Sequence, residues 1–150
     1  MINLTELLLD PDFIDNVPFK IIQYQATDVI LAENETSQEV FFILNGVVQV
    51  SLLINDDQGR LLHNLARLAK NDIFGELSMF DGEPRSAEVI ACSQCEIAKV
   101  DGKAMLNFME KFPDRGYFIL REMYMNLITR MRKSNIRTKE VLDLFLQKRS

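Results

Sequence analysis

The spacing of hydrophobic residues changes twice along the chain. Near the start Leu4, Leu7 and Leu8 recur at helical spacing and Pro11 interrupts them, which predicts a short helix over residues 3 to 9 followed by irregular chain. From Phe19 onward short runs rich in Val, Ile and Phe take over: Phe19 to Tyr24, Val29 to Leu31, Val40 to Leu44, Val47 to Ile54, Leu61 to Leu68, Ala87 to Ala91 and Glu96 to Val100. Turn-forming residues separate them, so the pattern predicts seven or eight short antiparallel strands in a sandwich, barrel or jelly roll. Asn45-Gly46 predicts a tight hairpin, because both positions tolerate positive φ and such a turn matches the twist of its strands. Asn55-Asp56-Asp57-Gln58-Gly59 predicts a second, looser hairpin.

After Val100 the helical period returns. Ala104, Met105, Phe108 and Met109 fit a helix capped by Asp101 and ended at Phe112-Pro113. With Pro113 in the first turn of a longer helix, Tyr117, Leu120, Tyr124, Leu127, Met131, Ser134, Thr138, Val141 and Phe145 alternate at spacings of three and four, the a/d pattern of a coiled coil. A face packed on the chain's own β-core explains the same stripe, and both explanations stay open. The predicted organisation is a single domain over residues 1–150, with a β-roll at about 18–100 and C-terminal helices at about 101–146.

Composition narrows the class. The chain has 150 residues, 47% apolar and 26% charged, enough for one globular domain with a core that needs neither disulfides nor a structural metal. No apolar run approaches the roughly 20 residues of a membrane span. The opening Met1-Ile2-Asn3-Leu4-Thr5-Glu6 lacks the features of a secretory signal, which points to the cytosol. Cys92 and Cys95 form one Cys-x-x-Cys pair, but a tetrahedral zinc site needs two more ligands and His63 is the only histidine. One or both thiols are expected to fill core space, and His63 to be an ordinary strand residue.

The net charge of −5 hides an asymmetry. Thr129 to Ser150 holds seven basic residues (Arg130, Arg132, Lys133, Arg137, Lys139, Lys148, Arg149) against two acidic ones, Glu140 and Asp143. A basic helix of this kind suits nucleic acid, an anionic membrane or an acidic partner. Basic side chains also stabilise a helix C-terminus with no partner at all.

Candidate chemistry lies between Asp72 and Ala87. Gly75 permits close backbone approach, and Glu76 to Phe80 is one helical turn, whose first N–H groups suit an anion such as phosphate. Arg85 offers a planar fork of donors matched to phosphate oxygens, and Glu76 an acceptor for sugar hydroxyls. Together they describe a sugar-phosphate pocket. The plain alternative is an ion pair between Glu76 and Arg85 beside an ordinary Gly82-Glu83-Pro84 turn.

Phe74-Gly75-Glu76-Leu77-Ser78, followed by Gly82-Glu83-Pro84-Arg85-Ser86-Ala87-Glu88-Val89, resembles the phosphate-binding cassette of cyclic-nucleotide-binding domains. These are the sensor modules of catabolite-activator-type regulators, protein kinase A regulatory subunits and nucleotide-gated channels. Val29-Ile30-Leu31, the run from Phe41 to Val50, and Asn71 to Glu76 keep the family's order, and the last helices resemble its terminal pair. The resemblance implies a mainly β fold, an antiparallel β jelly roll with an N-terminal helix and two C-terminal helices. It implies cAMP or cGMP as ligand and no further cofactor or metal. Glu76 would take the ribose 2′-hydroxyl and Arg85 the cyclic phosphate. Backbone amides near Gly75, Leu77 and Ser86 would complete the cradle, with Ser78 beside them. The long helix would approach the purine near Arg130 and Met131, with Ser134 one turn further on.

Where the family usually has glycine, this chain has Asn34 and Asn71, the residue type that best tolerates the left-handed region after glycine, so both turns are expected to be kept. Related domains that sense haem or carry iron–sulfur clusters need histidine or several cysteine ligands, which this chain cannot supply. Few residues follow Phe145, so a DNA-binding domain and direct DNA contact are not expected, and nothing in the cassette would activate water against a phosphodiester. The sequence thus points to a non-enzymatic, stand-alone cyclic-mononucleotide sensor that signals to a protein effector through its C-terminal helix, and that helix would pair with a second copy if its stripe is a coiled-coil seam. The alternatives are a sensor fragment of a catabolite-activator-type regulator and a scaffold of the same fold that binds no nucleotide.

Overall fold

In the computed structural model, which describes residues 3–148, two antiparallel four-stranded sheets face each other. The first has the order β1 (Phe19–Tyr24), β8 (Cys95–Val100), β3 (Val40–Asn45), β6 (Ile73–Phe74). The second has the order β2 (Val29–Leu31), β7 (Glu88–Ala91), β4 (Val48–Asp56), β5 (Gly59–Leu68). This is a jelly roll flanked by helices. Between the sheets Phe41, Ile43, Phe74, Cys95 and Ile97 from the first meet Leu31, Val48, Leu68, Val89 and Ala91 from the second. β3 is buried from Val40 to Ile43, so both its faces are covered, which is why its sequence is continuously apolar instead of alternating. On that other side a 3-10 helix, Leu4–Leu9, packs on β3. Phe13 of α1 (Pro11–Asn16) meets Phe108 of α3 (Gly102–Lys111) edge to face, with centroids 5.2 Å apart.

Two local expectations need correction. Pro11 does not end the N-terminal structure but opens α1 from its first position, where its missing N–H costs nothing, and the Asp10 carboxylate caps the helix through Asp12 N–H at 2.9 Å. Asn45-Gly46 is not a hairpin: β3 and β4 belong to different sheets, and the pair turns a corner between them. Gly46 has φ +97°, and a Cβ there would stand 2.5 Å from the Gln94 carbonyl oxygen and 2.7 Å from Cys95 Sγ. The corner therefore nests against the β7–β8 connection, with Val47 O accepting from Cys92 N–H at 2.8 Å. Of the two thiols, only that of Cys95 fills core space, while Cys92 is exposed.

The second hairpin is tighter than expected. Asp56 pairs with Gly59, leaving Asp57 and Gln58 as the turn between β4 and β5. Asn34 and Asn71 adopt φ of 70° and 77°, so both left-handed turns are kept. His63 is an exposed residue of β5. Asp101 caps α3 through Ala104 N–H at 2.8 Å, as its position predicts.

The described residues divide into two compact units, the first ending at Phe112 and the second beginning at Pro113. The second unit is one helix, α4 (Pro113–Gln147), with Pro113 as its first residue. Its a/d stripe stands exposed at Tyr117, Leu120, Tyr124, Leu127, Met131, Val141 and Phe145, and every described residue from Met131 onward is exposed. In the stripe's polar interval Thr138 donates its hydroxyl to the Ser134 carbonyl at 2.9 Å. Arg149 lies outside the described residues.

Candidate ligand site

β6 delivers the chain to Gly75, whose φ of +84° turns it directly into α2 (Glu76–Asp81). Space demands glycine here as strictly as the backbone does. A Cβ would stand 2.9 Å from Arg85 Nη1, 2.9 Å from the Glu39 carbonyl oxygen and 3.3 Å from the Phe41 ring.

Arg85 is the centre of the arrangement and only 2% exposed. Its guanidinium donates from Nε to Ser37 Oγ at 3.1 Å, from Nη1 to the Gly75 carbonyl at 2.7 Å and from Nη2 to the Glu39 carbonyl at 2.7 Å. The Glu39 carboxylate lies 3.8 Å from Nη2 and also 3.8 Å from Lys99 Nζ. The Arg85 backbone is bound to the same loop: its N–H donates to Glu35 O at 2.9 Å and its carbonyl accepts from Asn34 N–H at 2.8 Å. Phe41, stacked on Phe74 with centroids 4.9 Å apart, places its ring centroid 6.0 Å from the guanidinium carbon. Burial pushes the guanidinium below its usual pKa, and the carboxylates of Glu39, Glu35 and Glu76 oppose the shift.

Such a charge is costly to bury unless paired and hydrogen-bonded, so the loop and the cassette backbone are what make it tolerable. As a core residue Arg85 brings little that an apolar side chain would not. Its fork of donors suits a planar or tetrahedral oxyanion, and Glu76, itself 4% exposed, sets a second, acceptor-only group in the same cluster.

The structure brings Gly75, Glu76 and Arg85 together. Ser78 is buried on α2, Leu77 beside it is 45% exposed, and Ser86 is exposed next to Arg85. Arg130 and Ser134 lie on α4, in the second unit. Sequence reasoning missed Ser37 and Glu39. A signal was present: Glu33, Glu35 and Glu39 put three carboxylates within seven residues of a loop, in a chain whose candidate site contains an arginine in need of acceptors.

The profile of the cyclic nucleotide-binding domain matches residues 21–112, a span that includes both the cassette and the loop that holds Arg85. The chain belongs to the cyclic nucleotide-binding domain family. The cAMP-activated global transcriptional regulator CRP of Salmonella typhimurium is 30% identical over 95 residues, 63% of this chain and 44% of that protein. The chain spans about half the length of the curated relatives it matches. A cyclic nucleotide-binding domain from Methylobacillus flagellatus superposes with a TM-score of 0.71 at 27% identity, covering 79% of this chain and 65% of that one. The Thermus thermophilus catabolite activator protein shares the fold with a TM-score of 0.66 at 20% identity, covering 82% and 55% of the two chains. Among the described residues no helix is long and apolar enough to cross a membrane, and no group of three or more His, Cys, Asp or Glu is placed to hold a metal ion.

Proposed function

We propose that this domain is a sensor for a cyclic mononucleotide, cAMP in preference to cGMP, that passes binding on to a protein partner without turning the ligand over. The observation that carries the reading is Arg85: a buried guanidinium bonded to the cassette's own Gly75, with the Glu76 carboxylate nearby. In this reading Arg85 takes the cyclic phosphate and Glu76 the ribose 2′-hydroxyl. Gly75, Leu77, Ser78 and Ser86 line the cradle. The preference for cAMP leans on relatives named as cAMP-activated. The exposed apolar stripe of α4 favours pairing with a second copy, with the polar interval at Ser134 and Thr138 as its point of sensitivity.

A second reading has its own observation. Because the chain spans about half the length of its curated relatives, the same sensor also fits the ligand-binding part of a catabolite-activator-type regulator. Both readings require nucleotide binding.

Calorimetry on the 150-residue chain with cAMP, cGMP and a cyclic dinucleotide tests that requirement. A mononucleotide is expected to bind, and 2′-deoxy-cAMP at least tenfold more weakly than cAMP, because Glu76 would lose its donor. Glu76→Gln should cost less affinity than Glu76→Ala. Binding of none of the three would leave a scaffold of the same fold.

A further inference from the structure

In a phosphate-binding role Arg85 needs at least one N–H that a ligand can reach, yet its side chain is almost wholly covered. Three of its five N–H groups are already given to Ser37, Gly75 and Glu39. Gly75 belongs to the cassette and is fixed between β6 and α2. The other two partners lie on residues 35–39, which form no helix or strand and in which Glu35, Thr36 and Gln38 are exposed. Of the two, only this segment lacks regular secondary structure. Ser37 is its key atom supplier: the hydroxyl accepts from Arg85 Nε and donates to Glu35 Oε2 at 3.2 Å, so it links the guanidinium to a carboxylate of the same segment.

We infer that residues 35–39 are a strap that competes with the ligand phosphate for Arg85, with Ser37 setting the affinity of the site. The inference rests on the reading of Arg85 as the phosphate's partner. In the free protein the strap satisfies the buried charge. An arriving phosphate offers stronger, charged acceptors to the same N–H groups and displaces the Ser37 hydroxyl. Removing that hydroxyl leaves Nε–H without an acceptor in the free state, where a buried unpaired donor is costly, but not in the bound state, where phosphate supplies the acceptor. The site binds more tightly as a result.

The strap also has a second anchor. A Cβ on Gly102, the first residue of α3, would collide with the Gln38 carbonyl oxygen, so the strap runs directly across the start of that helix. Its release on binding is felt there without any contact between ligand and α3.

The test is calorimetry with cAMP on the full chain and its Ser37→Ala and Ser37→Thr variants, joined to amide exchange over residues 36–38. Ser37→Ala should bind about fivefold more tightly, the loss of one competing hydrogen bond. Ser37→Thr, which keeps the hydroxyl, should stay close to wild type. Exchange over residues 36–38 should speed up when cAMP is added. Equal or weaker binding by Ser37→Ala, with wild type binding normally, overturns the strap and leaves the site assignment standing. Binding by Ser37→Ala alone supports the strap in its strongest form. No binding by any of the proteins overturns both.

Discussion

Arg85 gives N–H groups to Ser37, Gly75 and Glu39 and is sealed from solvent, whereas Arg132, Lys133 and Arg137 of α4 stand exposed on a helix that buries nothing from Met131 onward. Both regions carry basic side chains, and the sequence alone gives each a plausible anionic partner. Their surroundings separate them. An exposed lysine or arginine keeps its hydration and constrains nothing around it, so its presence says little about purpose. A buried guanidinium must have acceptors built for it, and here a left-handed glycine and a whole loop are arranged to supply them. Local structure committed to one side chain is a stronger mark of function than a run of like charges.

The largest break in this contrast should come from Arg85→Ala. It removes the phosphate's partner and leaves the Gly75 and Glu39 carbonyls and the Ser37 hydroxyl without their donor. Cyclic-nucleotide affinity is expected to fall by about a hundredfold in calorimetry, and stability by about 3 kcal/mol in denaturant titration. A variant that binds like the parent would remove Arg85 from the site. An intermediate effect is expected in α4. If binding in the first unit is passed to this helix, hydrogen exchange across Leu127 to Thr138 should slow on adding nucleotide, because ligand binding and helix order must favour each other reciprocally. Unchanged exchange at saturating nucleotide would sever the two regions functionally. The smallest effect belongs to the basic face itself. The combined Arg132→Gln, Lys133→Gln and Arg137→Gln variant should bind nucleotide within twofold of wild type and lose no more than about 0.5 kcal/mol of stability. A large loss of nucleotide affinity there would erase the distinction between the regions.

What the sequence revealed and concealed follows the same division between local and distant causes. The cassette was legible because its chemistry is compact: Gly75, Glu76 and Arg85 lie within a short segment whose residue types each have a specific use. The groups that hold Arg85 were not, since Ser37 and Glu39 precede it by 48 and 46 positions and only the folded sheets bring them alongside. Asn45-Gly46 shows the limit most clearly. Its residues announce a turn with positive φ, but a hairpin and a corner between sheets need the same turn chemistry, and only the distant Gln94 and Cys95 distinguish them. Pro11 carried an equally ambiguous signal, being as fit to begin a helix as to end one, and the preceding Asp10 cap decides. β6 was invisible because two residues have no period. The α4 stripe was read correctly as a stripe, yet periodicity alone does not say what a hydrophobic face meets.

β8 pairs with β1 on one side, Phe19 against Val100, and with β3 on the other, Val40 against the same residue. On a ribosome this shared middle strand is made after every other strand of the roll. Until it emerges, β1 and β3 have no common partner and present open strand edges, the surfaces on which chains aggregate. The first sheet cannot zip progressively from its N-terminal end; it closes in one late step that joins segments some 80 residues apart in sequence. Such non-local closure places the domain among the slower folders of its size. A chain interrupted before Cys95 would be released as an aggregation-prone intermediate with its cassette already synthesised and its first sheet incomplete.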